Sequence, residues 1–310
     1  MMDMEVTSVG DINVDLVCSN LVDMPGRDSQ VLVDDLFISS GGCAANFAKA
    51  ASRLGLKTRL FGKTGDDIYG EFLRGELSGV DLHLAKGSKT GVTYALTFRD
   101  GSRSFLTYPG SNREFGAGDV DLELVEGGFL HVASFFLQGL GEHTRELLVH
   151  AHDKGMTCSF DTGWDPSGWG EKDRELVIDI LEAVDIFFPN LREAEAITGL
   201  SEMEDVCDSL LGMGPKIIAL KLGSQGSFIA TKGERFGVEP LEVDVVDSTG
   251  AGDVFAAGFI YGRCRGYSLE ESGRFANAAA ALSTKFMGSS CYPTEKEVAG
   301  FIRNRSKNLP

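Results

Sequence analysis

The sequence lacks a long apolar run, an excess of basic residues and paired cysteine motifs. No stretch approaches the ~20 apolar residues that a membrane-spanning helix needs. The 310 residues include 46 acidic and 29 basic side chains, which argues against nucleic acid as a partner because its binding rests on basic patches. Six scattered cysteines without a C-x-x-C spacing are expected to be reduced thiols, and the acidic start at residues 1–5 does not resemble a signal peptide. These absences predict a cytoplasmic protein with no nucleic-acid or membrane partner.

Two familiar phosphate-binding signatures are also missing. Gly62-Lys63-Thr64 resembles the end of a P-loop, but the glycine required five positions before Gly62 is replaced by Lys57. No G-x-G-x-x-G joins the first predicted strand to its helix, so a nicotinamide-dinucleotide enzyme is not expected. Any phosphate site must therefore be built differently.

The stretch 247–258 is the most informative part of the chain. Gly250, Ala251 and Gly252 have almost no side chain, so a ligand can approach their backbone closely, and an apolar helical pattern follows at once. The free N–H groups and the positive end of a helix make an anion hole. Asp253 lies at its mouth, where the helix dipole is expected to keep the carboxylate ionised and able to take a proton from an alcohol. The alternative is an ordinary glycine-rich turn with an acid in the first helical turn.

Strand and helix patterns alternate from residue 129 onwards, which predicts a doubly wound, mostly parallel α/β sheet. A hairpin over residues 91–108, with Asp100-Gly101 at its turn, has no helix between its strands, and residues 31–38 resemble a strand of a half-exposed sheet. They predict a small antiparallel β-sheet that acts as a lid. The expected organisation is one domain over residues 1–310, with the lid formed by residues 12–40 and 90–112.

Polar side chains follow the first predicted strand, Val6–Gly10. Alternation puts Asp11, Asn13 and Asp15 on one side, at the end of the strand where α/β proteins bind ligands. Carboxylates and an amide suit a polyhydroxyl ligand, although a solvated turn has the same composition. Asp161 ends a later strand and either faces the same site or caps a helix.

A second strand–glycine–helix junction lies at residues 39–46. Gly41 and Gly42 open a helix that contains Asn46, and no lysine or arginine accompanies them. This composition favours a hydroxylated ligand over a phosphate at this junction.

Three further segments have both a structural and a functional interpretation. Asn190 and Glu193 form a helix capping box by their spacing, and Glu193 can also hold water around magnesium. Gly223 and Gly226 allow a nucleotide to lie against the backbone, although a lone G-x-x-G is weak evidence. The alanines after Asn277 suit close helix packing or a flat ring.

Together these segments resemble the ribokinase-like, or PfkB, family of carbohydrate kinases over nearly the whole chain. Residues 41–48, with Gly55 and Gly65, fit the first family signature, residues 188–195 fit its N-x-x-E segment, and residues 247–258 fit its second signature. The resemblance implies a doubly wound α/β domain with a small β-sheet lid, and transfer of the γ-phosphoryl group of ATP to a hydroxymethyl group.

The resemblance also implies a role for each site residue. Asp253 is the base, and the amides of Gly250, Ala251 and Gly252 stabilise the transferred group. The substrate site is expected at Asp11, Asn13, Asp15, Gly41, Gly42, Asn46 and Asp253. The ATP site is expected at Asn190, Lys221, Gly223, Gly226, Gly250, Gly252 and Asn277. Mg²⁺ is expected to be held through water by Asn190 and Glu193, and a possible K⁺ by Asp247 and Thr249.

Some features leave the substrate open. The lysine that often follows the glycine pair in ribokinases is Cys43 here, which argues against ribose, although residues 108–112 still resemble the ribokinase branch. Arg103, on the predicted lid, is a candidate clamp for a phosphosugar. A sugar kinase is the leading hypothesis, with a nucleoside kinase and a catalytically inactive relative as alternatives. The apolar lid strands predict a homodimer formed through the lid.

Overall fold

The computed structural model describes residues 5–33, 35–100, 102–288 and 291–306. Its strands, numbered along the chain, are β1 (Val6–Gly10), β2 (Asn13–Leu21), β3 (Leu36–Gly41), β4 (Thr58–Gly65), β5 (Asp81–Gly87), β6 (Gly91–Phe98), β7 (Arg103–Tyr108), β8 (Phe129–Ala133), β9 (Thr157–Asp161), β10 (Ile186–Phe187), β11 (Ile217–Lys221), β12 (Ser227–Ala230) and β13 (Arg235–Val238). Its α-helices are α1 (Cys43–Arg53), α2 (Ile68–Glu76), α3 (His143–Asp153), α4 (Glu171–Leu181), α5 (Leu191–Thr198), α6 (Met203–Gly212), α7 (Ala251–Cys264), α8 (Leu269–Ser283) and α9 (Glu295–Ser306).

Nine of the strands form a large sheet in the order β13-β12-β11-β10-β9-β8-β1-β4-β5. All pairings are parallel except those of the terminal hairpin, β11 with β12 and β12 with β13. The chain leaves β1 towards β4 on one side and returns through β8 on the other. Ligands of open α/β sheets bind where the strand order reverses in this way, so the carboxyl ends of β1 and β8 mark the expected site. The predicted doubly wound sheet is confirmed.

Two apolar layers cover the faces of this sheet. Leu130, Val132 and Phe160 belong to the cluster on the α3–α6 side, and Phe47 and Phe259 belong to the cluster on the side of α1, α7 and α8. These strands are buried on both faces, which explains their nearly continuous apolar runs. No helix among the described residues is long and apolar enough to cross a membrane.

Helices α7 and α8 pack closely because small residues face each other. A Cβ added to Gly258 would approach the Cα of Ala276 to 2.9 Å, and one added to Gly262 would meet Ser272 at a similar distance. The helix-packing interpretation of the small residues in α8 therefore holds for the side that faces α7, whereas two of its alanines line a cavity. This packing fixes the axis of α7, and with it the direction of its amino end.

The small sheet, formed by β3, β2, β6 and β7 in that order, lies apart from the large one. The outer pairings, β2 with β3 and β6 with β7, are antiparallel as predicted, but the central pairing of β2 with β6 is parallel. The chain reaches β6 only after crossing the large sheet through β4 and β5, so β2 and β6 cannot form a hairpin. Ile12, Val14 and Leu16 pack beneath the small sheet in a core shared with α1 and α2.

Several element predictions were wrong in their details. The strand predicted over residues 31–38 begins only at Leu36. The apolar residues 31–33 before it are exposed and belong to no strand. Strand β5 and helix α6 were not predicted; β5 is only half-buried and its pattern is weak. Gly101 of the predicted hairpin turn, residues 1–4 of the acidic start and residues 289–290 lie outside the described residues.

Candidate active site

The amino end of α7 points towards the reversal point of the large sheet. Gly250 precedes the helix with a φ of +75°, which glycine adopts without strain. The amides of Asp253 and Val254 both donate to the carbonyl of Gly250 at 3.0 Å, so this carbonyl closes the first turn. Helix geometry leaves the earliest amides without intrahelical acceptors, although the amide of Ala251 donates to the carbonyl of Ser248 at 3.3 Å. The anion hole at these amides stays a prediction.

Asp253 is held in this first turn by a chain of side-chain hydrogen bonds. Its Oδ2 accepts from Nδ2 of Asn46 at 2.9 Å, and Oδ1 of Asn46 accepts from the hydroxyl of Tyr292 at 3.0 Å. Burial, followed by the negative charge of Asp161, raises the pKa of Asp253 to about 8. Desolvation therefore opposes the expected stabilisation of the ionised carboxylate by the helix dipole.

A buried lysine links two further carboxylates to the site. Nζ of Lys221, at the end of β11, lies 2.5 Å from Oδ2 of Asp161, so Asp161 faces the site. Burial acts to lower the pKa of Lys221, but the charges of Asp161 and Glu193 more than offset it and raise the pKa. Burial raises the pKa of Glu193 to about 7.

The capping interpretation of Asn190 and Glu193 is confirmed. The amide of Glu193 donates to Oδ1 of Asn190 at 2.9 Å, and the amide of Asn190 donates to Oε2 of Glu193 at 2.8 Å. One lysine among the buried acids Asp161, Glu193 and Asp253 leaves the region short of positive charge. Carboxylate oxygens suit a divalent cation, but among the described residues these three acids do not converge closely enough to share one ion directly, so a magnesium ion would be held through water.

The polar residues after β1 gather beneath the small sheet. Asp11 accepts from Nδ2 of Asn13 and from the amide of Ala44, both at 3.2 Å. Burial raises the pKa of Asp11 to about 6; burial and the charges of Asp11 and Asp247 raise that of Asp15 to about 7. Asp15 is 6% exposed, and its carboxylate has no hydrogen-bond donor within the described part of the chain. An unpartnered buried carboxylate favours a ligand that supplies hydroxyl donors.

Gly41 and Gly42 leave room for this patch. Gly41 pairs with Asn13, and a Cβ at Gly41 would collide with the carboxylate of Asp15. Gly42 has a φ of +91° and precedes α1. The predicted substrate residues are therefore brought together at one place, with Asn46 connecting them to Asp253.

A cavity of about 590 Å³ lies on the other side of the first turn of α7. Five of the predicted ATP-site residues line it: Lys221, Gly223, Gly226, Gly252 and Asn277. Apolar residues including Leu241, Phe255 and Ala280 line the rest. Nδ2 of Asn277 donates to the carbonyls of Val238 and Glu239, so this side chain also holds the cavity wall. The volume is in the range of small-molecule sites, roughly 300–1,000 Å³.

Asp247 and Thr249 lie together just before α7. Oδ1 of Asp247 accepts from the amide and the hydroxyl of Thr249 at 2.9 and 2.8 Å, and its Oδ2 accepts from the amide of Gly288 at 2.9 Å. Arg103 reaches the same place from β7, with Nη1 3.1 Å from the hydroxyl of Thr249. The structure thus places Arg103 against this loop.

Two residues of the site were not predicted. Asn112 donates to Oδ1 of Asn13 at 2.7 Å and also bonds the backbone of Ile12 in both directions. Tyr292 holds Asn46. Asn112 lies in the stretch that resembles ribokinases, and this resemblance could have pointed to it. No sequence signal pointed to the contact of Tyr292, because its partner is 246 positions away.

Comparison with known proteins agrees with this geometry. The family model of the pfkB family carbohydrate kinases matches residues 3–295. The ATP-dependent ribose-1-phosphate kinase of Halopiger xanaduensis is 31% identical over 97% of this chain and 98% of its own length. Among solved structures, Arabidopsis thaliana ribokinase with ribose and ATP has a TM-score of 0.81 at 25% identity, covering 97% of this chain and 99% of the other. The adenosine kinase of Sinorhizobium meliloti has a TM-score of 0.84 at 26% identity, with the same coverage of both chains.

Proposed function

Because this chain belongs to the pfkB family of carbohydrate kinases and is a phosphotransferase, we propose that it transfers the γ-phosphoryl group of ATP to a hydroxymethyl group of a sugar. The observation that carries the proposal is the position of the amino end of α7. It separates a cavity of nucleotide size from a carboxylate-rich patch, and Asp253 lies at the boundary. A donor and an acceptor bound on the two sides would meet at this helix end.

The residues at the boundary supply a base and a place for charge. Asp253 accepts the proton of the sugar hydroxyl, the hydroxyl oxygen forms a bond to the γ-phosphorus, and the bond from that phosphorus to the β,γ-bridging oxygen breaks to release ADP. The first amides of α7 stabilise the charge on the transferred group. Asn46 orients the carboxylate of Asp253 through the 2.9 Å hydrogen bond.

The charged residues around the cavity serve the ATP phosphates. Lys221 offers a buried positive charge, and Asn190 and Glu193 would hold a magnesium ion through water. When bound, this ion supplies positive charge against the phosphates. Lys221 remains oriented by its ion pair with Asp161.

The substrate side is supported by the uncompensated acids. Asp11 and Asp15 are buried carboxylates that a sugar can contact with its hydroxyl groups, whereas an apolar ligand would leave Asp15 without a donor. Cys43 begins α1 beside them, where an amine would have added charge. The relative from Halopiger is named for a phosphosugar, so phosphosugars belong among the acceptors to be tested.

An ATP-consumption assay with magnesium across sugars, phosphosugars and nucleosides tests the proposal. Turnover on sugars or phosphosugars, lost with Asp253→Asn, is the expected result. Turnover on nucleosides alone would replace the sugar kinase by a nucleoside kinase. No turnover on any of these acceptors would leave an untested acceptor or the catalytically inactive relative, and tight ATP binding in that case would favour an untested acceptor.

We also propose that the chain forms a homodimer through the small sheet. The strand register puts Ile38, Tyr94 and Leu106 in one row across β3, β6 and β7. They are 53%, 44% and 67% exposed, and Leu36 and Tyr108 are exposed on the same face. A contiguous apolar face of this kind is uncommon on a monomer, and a second copy can cover it with the same residues.

Light scattering at micromolar concentration tests the dimer. The mass of a dimer is expected for the natural chain and that of a monomer for Leu106→Asp. Val149→Asp is a matched control, because Val149 is 42% exposed on α3, outside the small sheet. A monomeric mass for the natural chain would refute the proposal.

A further inference from the structure

The small sheet touches the loop before α7 through a single long side chain. Arg103 begins β7, and its Nη1 lies 3.1 Å from Oγ1 of Thr249 and 3.6 Å from Oδ1 of Asp247. The contact joins residues 146 positions apart, and the side chain of Arg103 is 28% exposed. It therefore couples the position of the small sheet to the loop that precedes the anion hole.

The acid at this contact holds the loop in shape. The side chain of Asp247 is fully buried, and its two oxygens accept from the Thr249 amide, the Thr249 hydroxyl and the Gly288 amide. These bonds arrange the turn that leads into Gly250, but they add no net positive charge. A buried carboxylate next to an anion hole would repel an incoming phosphate unless a cation stood beside it.

With Arg103 in place, Asp247 and Thr249 do not fit the potassium ion that was expected there. Nη1 of Arg103 lies 3.1 Å from Oγ1 of Thr249 and 3.6 Å from Oδ1 of Asp247, so the guanidinium group occupies the space beside both oxygens. The hydroxyl of Thr249 donates to Asp247 and accepts from Arg103, which takes the position that an ion would need on this oxygen. The guanidinium group stands where the ion was expected.

We infer that Arg103 takes the place of a monovalent cation at Asp247 and Thr249, so that this kinase works without potassium. The inference rests on the proposed function for its kinetic part. Arg103 acts through the loop as a positioning residue and does not touch the reacting atoms. A tethered guanidinium has a fixed charge and a planar set of donors, which suits a carboxylate and a hydroxyl side by side.

Potassium dependence is the decisive readout. Initial rates are compared in KCl and in tetramethylammonium chloride at equal ionic strength, for the natural chain, Arg103→Met and Arg103→Lys. The natural chain is expected to differ by less than about 2-fold between the two salts. In tetramethylammonium chloride the rate of Arg103→Met is expected to be about 10- to 100-fold lower than that of the natural chain, a decrease no larger than that caused by removing a preorganised catalytic donor. Its rate is expected to recover in KCl. Arg103→Lys is expected to keep most of the rate in both salts.

Arg99→Met is the matched control, since Arg99 is exposed near the tip of the hairpin formed by β6 and β7. It should behave as the natural chain does. Strong potassium activation of the natural chain, or an Arg103→Met enzyme that is not slowed, would overturn the inference. So would a slow Arg103→Met enzyme that potassium does not restore; a raised KM for a phosphosugar in that variant would assign Arg103 to the substrate phosphate.

Thermal unfolding separates this inference from the proposed function. An ion that binds the folded state raises the melting temperature, with no need for a substrate. KCl is expected to raise the melting temperature of Arg103→Met above its value in tetramethylammonium chloride, and to leave the natural chain unchanged. Equal responses of both proteins would contradict the inference, whether or not any acceptor is turned over.

Discussion

Replacing Asp253 by asparagine is expected to stabilise the ligand-free protein while removing its activity. The change keeps the size of the side chain. In the natural chain Asn46 donates to Asp253 at 2.9 Å, and the amide oxygen of the new residue can still accept this hydrogen bond. What disappears is a carboxylate buried beside Asp161, with only 8% of the residue exposed. The catalytic base and a source of instability are thus the same group.

The size and the pH dependence of the stability gain follow from the pKa of Asp253. The pKa is about 8 in the folded chain against an ordinary value of 3.8. An acid with a raised pKa contributes its full stability below its unfolded value, and this contribution is lost as pH rises through about 8. The difference corresponds to an upper limit of about 6 kcal/mol. The stability of Asp253→Asn relative to the natural chain should therefore grow between pH 4 and pH 8.

Thermal and urea unfolding from pH 5 to pH 9 measure this difference in stability. Rate measurements on the same samples test whether Asp253 is the catalytic base. The loss of the base should reduce kcat by roughly 10²–10⁴-fold. In the natural enzyme kcat/KM should rise with pH towards about 8, because free Asp253 must lose its proton. Parallel stability curves for the two proteins would refute the argument from burial. A variant that retains more than about a tenth of the rate would refute the assignment of the base.

Three further changes have distinct expected results. Lys221→Met should lower the free energy of unfolding by about 3–5 kcal/mol and abolish ATP binding in calorimetry, because it leaves Asp161 buried without its cation; unchanged stability would contradict the ion pair. Asp67→Ala should lower the free energy of unfolding by about 1–2 kcal/mol without altering kcat, because Asp67 caps α2 and binds Thr90 far from the base. Gly226→Ala should weaken ATP binding and lower the melting temperature, because Gly226 has a φ of +88° and an added Cβ would collide with a backbone carbonyl oxygen; normal values for both would refute this.

The sequence predicted local features correctly where the interacting residues are close along the chain. The glycines before Asp253 and the apolar pattern after it predicted the amino end of a helix, because both signals lie within one turn. Asn190 and Glu193 were predicted as a capping box for the same reason. The alternation of strands and helices predicted the doubly wound sheet, since each βαβ unit is a local pattern.

Contacts between segments that are distant along the chain were not predicted from the sequence. The strand predicted over residues 31–38 starts too early because the apolar residues 31–33 resemble part of a half-exposed strand, although they are exposed and β3 begins only at Leu36. The parallel pairing of β2 with β6 depends on the path of the chain through β4 and β5. Asn112 was missed because its hydrogen bonds join it to residues about 100 positions earlier.

The sequence by itself determined the kind of fold, the family resemblance and the helix end at Asp253, because these depend on short-range patterns of size and polarity. Only the tertiary structure decided that the pKa of Asp253 is raised to about 8, because the rise comes from burial and from Asp161, 92 positions away. Only the tertiary structure placed Arg103 against Thr249. Desolvation and charge depend on distance in space, which the order of residues along a chain does not specify.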